Sequence, residues 1–121
     1  TYELVALDCD DPIPLAEFYR SMVGGDVKTY PNVHDWVELH TSGGCIAFQH
    51  IDDHRPPTWP AGDRPQQAHL DIDVTDIDDA ESRVLELGAV KADLQPRPDR
   101  WRVFFDPAGH PFCLVHVPPG S

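Results

Sequence analysis

The 121-residue chain has little positive charge: nine Lys and Arg stand against 21 Asp and Glu, for a formal net charge of −12. A summed field of that sign repels phosphate backbones and anionic headgroups, so nucleic acid and acidic membrane surfaces are poor partners. It favours a cationic ligand, although solubility alone also accounts for an acidic surface. No stretch approaches the roughly 18 apolar residues of a membrane helix, and the start of the sequence lacks a basic patch followed by an apolar run. A cytoplasmic protein is the expectation. Cysteine is scarce: Cys9, Cys45 and Cys113 are odd in number, widely spaced and form no CxxC pair, which argues against a disulfide framework or a zinc ribbon. What is present is 40% hydrophobic and 25% charged residues, a composition that supports one packed domain rather than disorder.

The chain repeats itself. Leu4 to Asp11 (LVALDCDD) matches His69 to Asp76 (HLDIDVTD) 65 positions later, with Asp8 on Asp73, Asp11 on Asp76 and Leu7 on Ile72. Trp36 and Trp101 correspond at the same offset. After a one-residue shift, Ala16-Glu17 meets Ala80-Glu81, Gly24 meets Gly88, and Phe48-Gln49 meets Phe112-Cys113. One supersecondary unit used twice explains such a register.

Each half reads as the same series. In the first module, about 1–50, residues 3–9 are strand-like and Asp10-Asp11-Pro12 forms a turn suited to a helix N-terminus. Residues 14–23 place Leu15, Phe18, Tyr19 and Met22 on one helical face before Gly24-Gly25. Strands are predicted over 26–30, 36–40 and 45–50. Residues 51–66, rich in proline, read as a linker carrying Trp59. The second module, about 67–117, repeats the order: strand 68–74, helix 78–87 with Val84 and Leu87 inward, then strands 90–93, 101–106 and 112–117. The fold class is α+β, two βαβββ modules.

The opening LDCDDPIPLAEFY, the middle IAFQH, the AHLDIDV strand and the closing FFDPAGHPFCLVHV carry a resemblance to the vicinal oxygen chelate superfamily, in its glyoxalase-like and bleomycin-resistance-like branch. The resemblance implies a pair of half-barrels of the glyoxalase/bleomycin-resistance/dioxygenase type in one domain, and a homodimer. It also implies a cavity in which metal-dependent members hold an ion with ligands on the first and last strands of each module. Those positions fall on Leu4, Gln49, His69 and Cys113. Leu4 has no electron pair to donate, the amide of Gln49 is a weak donor, and Cys113 binds well only as a thiolate. The metal site is therefore degenerate and no cofactor is expected, with zinc, nickel, iron or manganese the alternative. His34, His40, His50, His54, His110 and His116 are expected to be solvated or structural.

Strand alternation adds Ala6 and Asp8, Asp71 and Asp73, Ala47 and Val115 to the cavity face. Three readings are open. In a catalytic one, of lyase or isomerase type, His69 is the acid or base, Asp71 orients it and Gln49 donates to an oxygen. In a binding one, the protein sequesters a cationic or aromatic small molecule on Gln49, His69, Cys113, Asp8, Trp36 and Trp101, the tryptophans offering their π faces. In the third, the chain is a regulatory module that keeps the fold without a ligand. Packing is the plain alternative for Trp36, Trp101 and Cys113.

Overall fold

Two proline-headed or aspartate-capped helices and eight short strands follow from this patterning. In the computed structural model, which describes residues 2–119, the order is β1 (Leu4–Cys9), α1 (Pro12–Val23), β2 (Asp26–Lys28), β3 (Trp36–Thr41), β4 (Gly44–His50), β5 (Leu70–Val74), α2 (Ile77–Glu86), β6 (Val90–Lys91), β7 (Trp101–Phe105) and β8 (Pro111–His116). The βαβββ series occurs twice, in a unit that ends at Arg55 and a unit that begins at Pro56. α1 starts two residues before its predicted position because Pro12 needs no intrahelical partner at the first turn and its φ is already helical. α2 is capped by Asp76, whose side chain accepts from Asp79 N at 3.0 Å.

Each unit is one four-stranded sheet, ordered β1-β4-β3-β2 and β5-β8-β7-β6. The first and last strands of each module pair in parallel, β1 with β4 and β5 with β8, and the remaining pairs are antiparallel. In the first unit α1 covers one face of β3 and β4. Its Tyr19 stacks on Phe48 at 5.7 Å and meets Phe18 edge-on, with Val37 and Leu39 buried on the same side of the sheet. Met22, expected inward, is half-buried, and Ala16 takes its place in the core. In the second unit Phe104 and Phe112 stack at 5.7 Å on the α2 side, where Arg102 also bonds Asp78 and Glu81. Pro111 to Leu114 are all buried, as a central strand with apolar neighbours on both faces requires.

The strand registers correct part of the repeat pairing. Gln49 stands between Asp8 and Trp36, whereas Val115 stands between Asp73 and Trp101, so Gln49 corresponds to Val115 at an offset of 66. Cys113, opposite Asp71 and Val103, corresponds to Ala47, not to Gln49. The cause is one extra loop residue: Asp106 N donates to His110 O at 2.9 Å and closes a loop over 107–109, while Ser42-Gly43 joins β3 to β4. The Phe-polar pairs at 48–49 and 112–113 look alike in sequence but stand two rungs apart.

Two segments are shaped by side-chain hydrogen bonds. β6 stops at Lys91, short of residue 93, because Gln95 takes over the pairing: its Nε2 donates to Ala92 O and Val103 O, each at 2.8 Å, and its Oε1 accepts from Val103 N. The second half of the expected linker is an organised loop, in which Arg64 donates from Nε to Pro56 O at 2.9 Å and from its backbone N to Thr58 Oγ1 at 3.0 Å. Pro56 lies against Gly109, where φ is 89° and an added Cβ would meet Pro56 Cβ at 2.3 Å. Asp106, buried, accepts from Ala108 N and His110 N in the same turn.

Gly109→Ala therefore combines left-handed strain with a steric overlap. It is expected to destabilise by about 2–3 kcal/mol in urea unfolding, against about 1 kcal/mol for Gly24→Ala, which has φ 77° and open space. Equal effects would remove Pro56 from the account.

Candidate functional site

The face of the second sheet away from α2 gathers most of the polar candidates. Alternation puts His69, Asp71 and Asp73 on one side at the start of and along β5, and the register sets Asp71 beside Cys113 and Asp73 beside Val115. β7 adds Val103 next to Cys113 and Trp101 next to Val115. Trp59, from the loop, packs with Trp101, Phe105 and Val115 against the buried group Ala92, Val103 and Cys113. Two open recesses result, of about 140 Å³ and 260 Å³, sharing His69, Trp101 and Cys113. Gln66 and Trp59 line the first and Asp71 the second.

The electrostatics of this face are specific. His69 Nε2 lies 3.1 Å from Asp71 Oδ1, with both side chains substantially exposed. The Cys113 thiol is pushed up to about 11, first by burial and then by the charge and hydrogen bond of Asp71. It is a neutral thiol at neutral pH, which removes it as a ready nucleophile. His69, Asp71 and Cys113 each offer a donor atom within 4.8 Å of the others.

The first unit holds the remaining sequence candidates. Asp8, Gln49 and Trp36 form one row across β1, β4 and β3, on the face away from α1. Leu4 lies beside Cys45, four rungs from Gln49. Sequence reading passed over a second cluster on this face. Glu38 accepts from Trp36 Nε1 at 2.8 Å, from Tyr30 OH at 2.9 Å, and contacts His40 Nε2 at 2.8 Å. Glu38, His40 and Cys45 also offer donor atoms within 4.8 Å. The signal was available: Glu-x-His at a spacing of two shares a strand face, and a Ser-Gly-Gly turn returns the chain to a cysteine. The indole N–H of Trp36, aided by His40 and Tyr30, holds the Glu38 carboxyl below its usual range against the opposing effect of burial.

His50 points to the other side of β4, next to Phe48. Its Nδ1 bonds Asp10 O at 2.6 Å and its Nε2 bonds Asp52 Oδ1 at 3.1 Å. The backbone carbonyl first, and then Asp52, raise its pKa above 6.5. The stabilisation is then fully present below the unfolded value and is lost as pH rises through the higher folded value.

Residues 4–115 match the glyoxalase-like domain family. The chain belongs to that family. Solved structures with the same fold include a FosX fosfomycin resistance protein from Mesorhizobium loti, at TM-score 0.72 and 14% identity over 98% of this chain and 93% of that one. A glyoxalase/bleomycin resistance protein/dioxygenase family enzyme from Burkholderia phytofirmans PsJN is similar at TM-score 0.69 and 18% identity, over 95% and 97%. A mutant of the genomically encoded FosX from Listeria monocytogenes, complexed with Mn(II) and 1S,2S-dihydroxypropylphosphonic acid, is similar at TM-score 0.72 and 17% identity, over 95% and 88%. At these identities the likeness is one of fold. No curated protein matches the chain. No helix among the described residues is long and apolar enough to cross a membrane.

The donor set at the superfamily's metal positions does not fit an ion. Leu4 offers no lone pair, Gln49 only a weak amide oxygen, and Ala47, the residue in the register of Cys113, none. His69 and Cys113 remain as the stronger donors, with Asp71 as an added third. Both three-donor clusters among the described residues are incomplete as closed structural shells.

Two measurements check this site. Alkylation of Cys113 by iodoacetamide at pH 8 is expected to run about 100-fold slower than that of an ordinary exposed thiol, since two pKa units remove that fraction of thiolate. Asp71→Asn should accelerate it. In a proton NMR titration, the His50 ring should show a midpoint above 6.5 that falls in Asp52→Asn; an unshifted midpoint would refute the Asp10–His50–Asp52 arrangement.

Proposed function

We propose that this glyoxalase-like protein binds a cationic or aromatic small molecule on the open face of its second sheet. The observation that carries the reading is the recess where Trp59 and Trp101 stand next to His69 and Cys113. Two indole rings supply apolar area and π faces at a site whose thiol is neutral. The Arg97 guanidinium stands 5.9 Å from the Trp101 ring centroid, so this indole already receives a cation, and a ligand cation competes with Arg97 for it. Asp71 and Asp73 add negative charge on the same face, and the net charge of −12 favours encounter with a cation. The phosphonic acid bound by the Listeria FosX mutant is anionic, the opposite of what this field attracts. The homodimer rests on the family resemblance, and the cytoplasmic setting on three widely spaced cysteines that form no disulfide framework.

The His69–Asp71 contact favours a second reading, a metal-independent lyase or isomerase in which Asp71 orients the imidazole and His69 moves a proton. His69→Ala would then abolish turnover while binding persists, and a chelator would have no effect.

Calorimetric titration with an N-methylquinolinium cation tests the binding reading. Saturable binding is expected, weakened about tenfold by Trp101→Ala, reduced further by added salt, and weaker for uncharged quinoline. Binding that ignores Trp101→Ala, or none across a panel of aromatic cations, would overturn it.

A further inference from the structure

We propose that Glu38, His40 and Cys45 form a site for a borderline divalent cation of the zinc and cobalt class, built on the β3–β4 hairpin. The site is independent of the recess on the second sheet and shares no residue with Leu4, Gln49, His69 or Cys113, the positions implied by the superfamily resemblance.

Three features of the hairpin support the assignment. The donors are placed by backbone register: Glu38 and His40 are two apart on β3 and share a face, and His40 is the cross-strand partner of Cys45. Their donor atoms already lie within 4.8 Å of one another, so a metal requires side-chain adjustment rather than a new backbone. Carboxylate, imidazole and cysteine sulfur together are a set for a borderline cation, and three protein ligands leave a fourth position for water; burial and the Glu38 charge push the free Cys45 thiol up, so the cation must displace its proton on binding.

The carboxylate is also held from behind. Glu38 is 13% exposed. Its Oε2 accepts from the Trp36 indole at 2.8 Å and its Oε1 from the Tyr30 hydroxyl at 2.9 Å, the kind of outer support that orients metal ligands. As Glu38 is ionised, the 2.8 Å contact with His40 Nε2 must carry the imidazole's proton. That proton occupies the place a cation would take; coordination through Nε2 moves it to Nδ1, and the Cys45 thiol loses its own proton to the buffer.

The turn itself is fixed. Thr41 Oγ1 donates to Gly44 O at 2.7 Å and accepts from Gly43 N at 3.1 Å. Behind His40, Gly25 approaches so closely that a Cβ there would meet His40 O at 2.3 Å. The hairpin thus holds its donors on a defined backbone, and the cost of ordering on binding is small.

Cobalt(II) titration of the full chain, purified in the presence of a chelator and then freed of it, tests the proposal. The expected result is one equivalent bound, with a thiolate-to-cobalt charge-transfer absorption in the near ultraviolet that zinc abolishes by displacement. Cys45→Ser should remove the absorption, His40→Ala should weaken binding at least tenfold, and Cys113→Ser should leave both unchanged. Circular dichroism of each variant checks that it is folded, and the conservative Cys45→Ser keeps the test decisive if His40→Ala is not. Absorption that survives Cys45→Ser, absorption lost in Cys113→Ser, or no cobalt binding at micromolar concentration would each overturn the site. None of these outcomes bears on aromatic-cation binding by the second sheet, so the two readings fail separately.

Discussion

The parallel pairing of the first strand with the last, within each βαβββ module, is the constraint on which the chemistry depends. A parallel pair needs a long connection, and here the helix, two strands and their turns supply it. The returning strand is thereby central, with neighbours on both sides. In the second unit this makes β8 buried through Phe112, Cys113 and Leu114 and divides its side chains between the helix face and the open face. A slip of one residue in β5 against β8 would exchange Asp71 for an apolar neighbour of Cys113 and send the carboxylate toward α2. Register is fixed because that exchange would bury charge and expose Leu70 and Ile72.

The same division explains how an acidic chain arranges a thiol, an imidazole and two indoles with no buried side-chain nitrogen or oxygen left unbonded among the described residues. On the open face of the second sheet, burial keeps Cys113 protonated and Asp71 reinforces that state, while the imidazole of His69 satisfies the carboxylate from the other side. On the first sheet the pattern recurs: burial and then the Glu38 charge push the Cys45 thiol up, while the indole of Trp36 and the hydroxyl of Tyr30 replace the water that Glu38 loses and hold its carboxyl down. The two clusters contain similar residue types and differ in what holds the carboxylate, a histidine in one and an indole, a hydroxyl and a histidine in the other.

Much of the fold was legible in the residues. Repeated Asp8/Asp73 and Trp36/Trp101 positions, helix stripes and glycine punctuation led to two βαβββ modules, and the strands lie close to where alternation placed them. The one-residue longer turn at 107–109 was not legible, because Phe48-Gln49 and Phe112-Cys113 look alike and mask an offset of 66. The sequence therefore sets Gln49 against Cys113. It places His40 among the solvated or structural histidines, because the value of His40 comes from a cross-strand cysteine, which only register reveals. Gln95 ends β6 by side-chain mimicry of a strand, which leaves no periodic trace in sequence.

The central claim is that the register-defined open face of the second sheet is where a ligand is held. Heteronuclear NMR of the labelled chain, titrated with N-methylquinolinium, tests it most directly. Saturable shifts with one common dissociation constant are expected at the indole N–H groups of Trp59 and Trp101 and at the amides of His69, Asp71 and Cys113. Saturable shifts clustered around Asp8, Trp36 and Gln49 on the first sheet, with the second-sheet signals still, would contradict it.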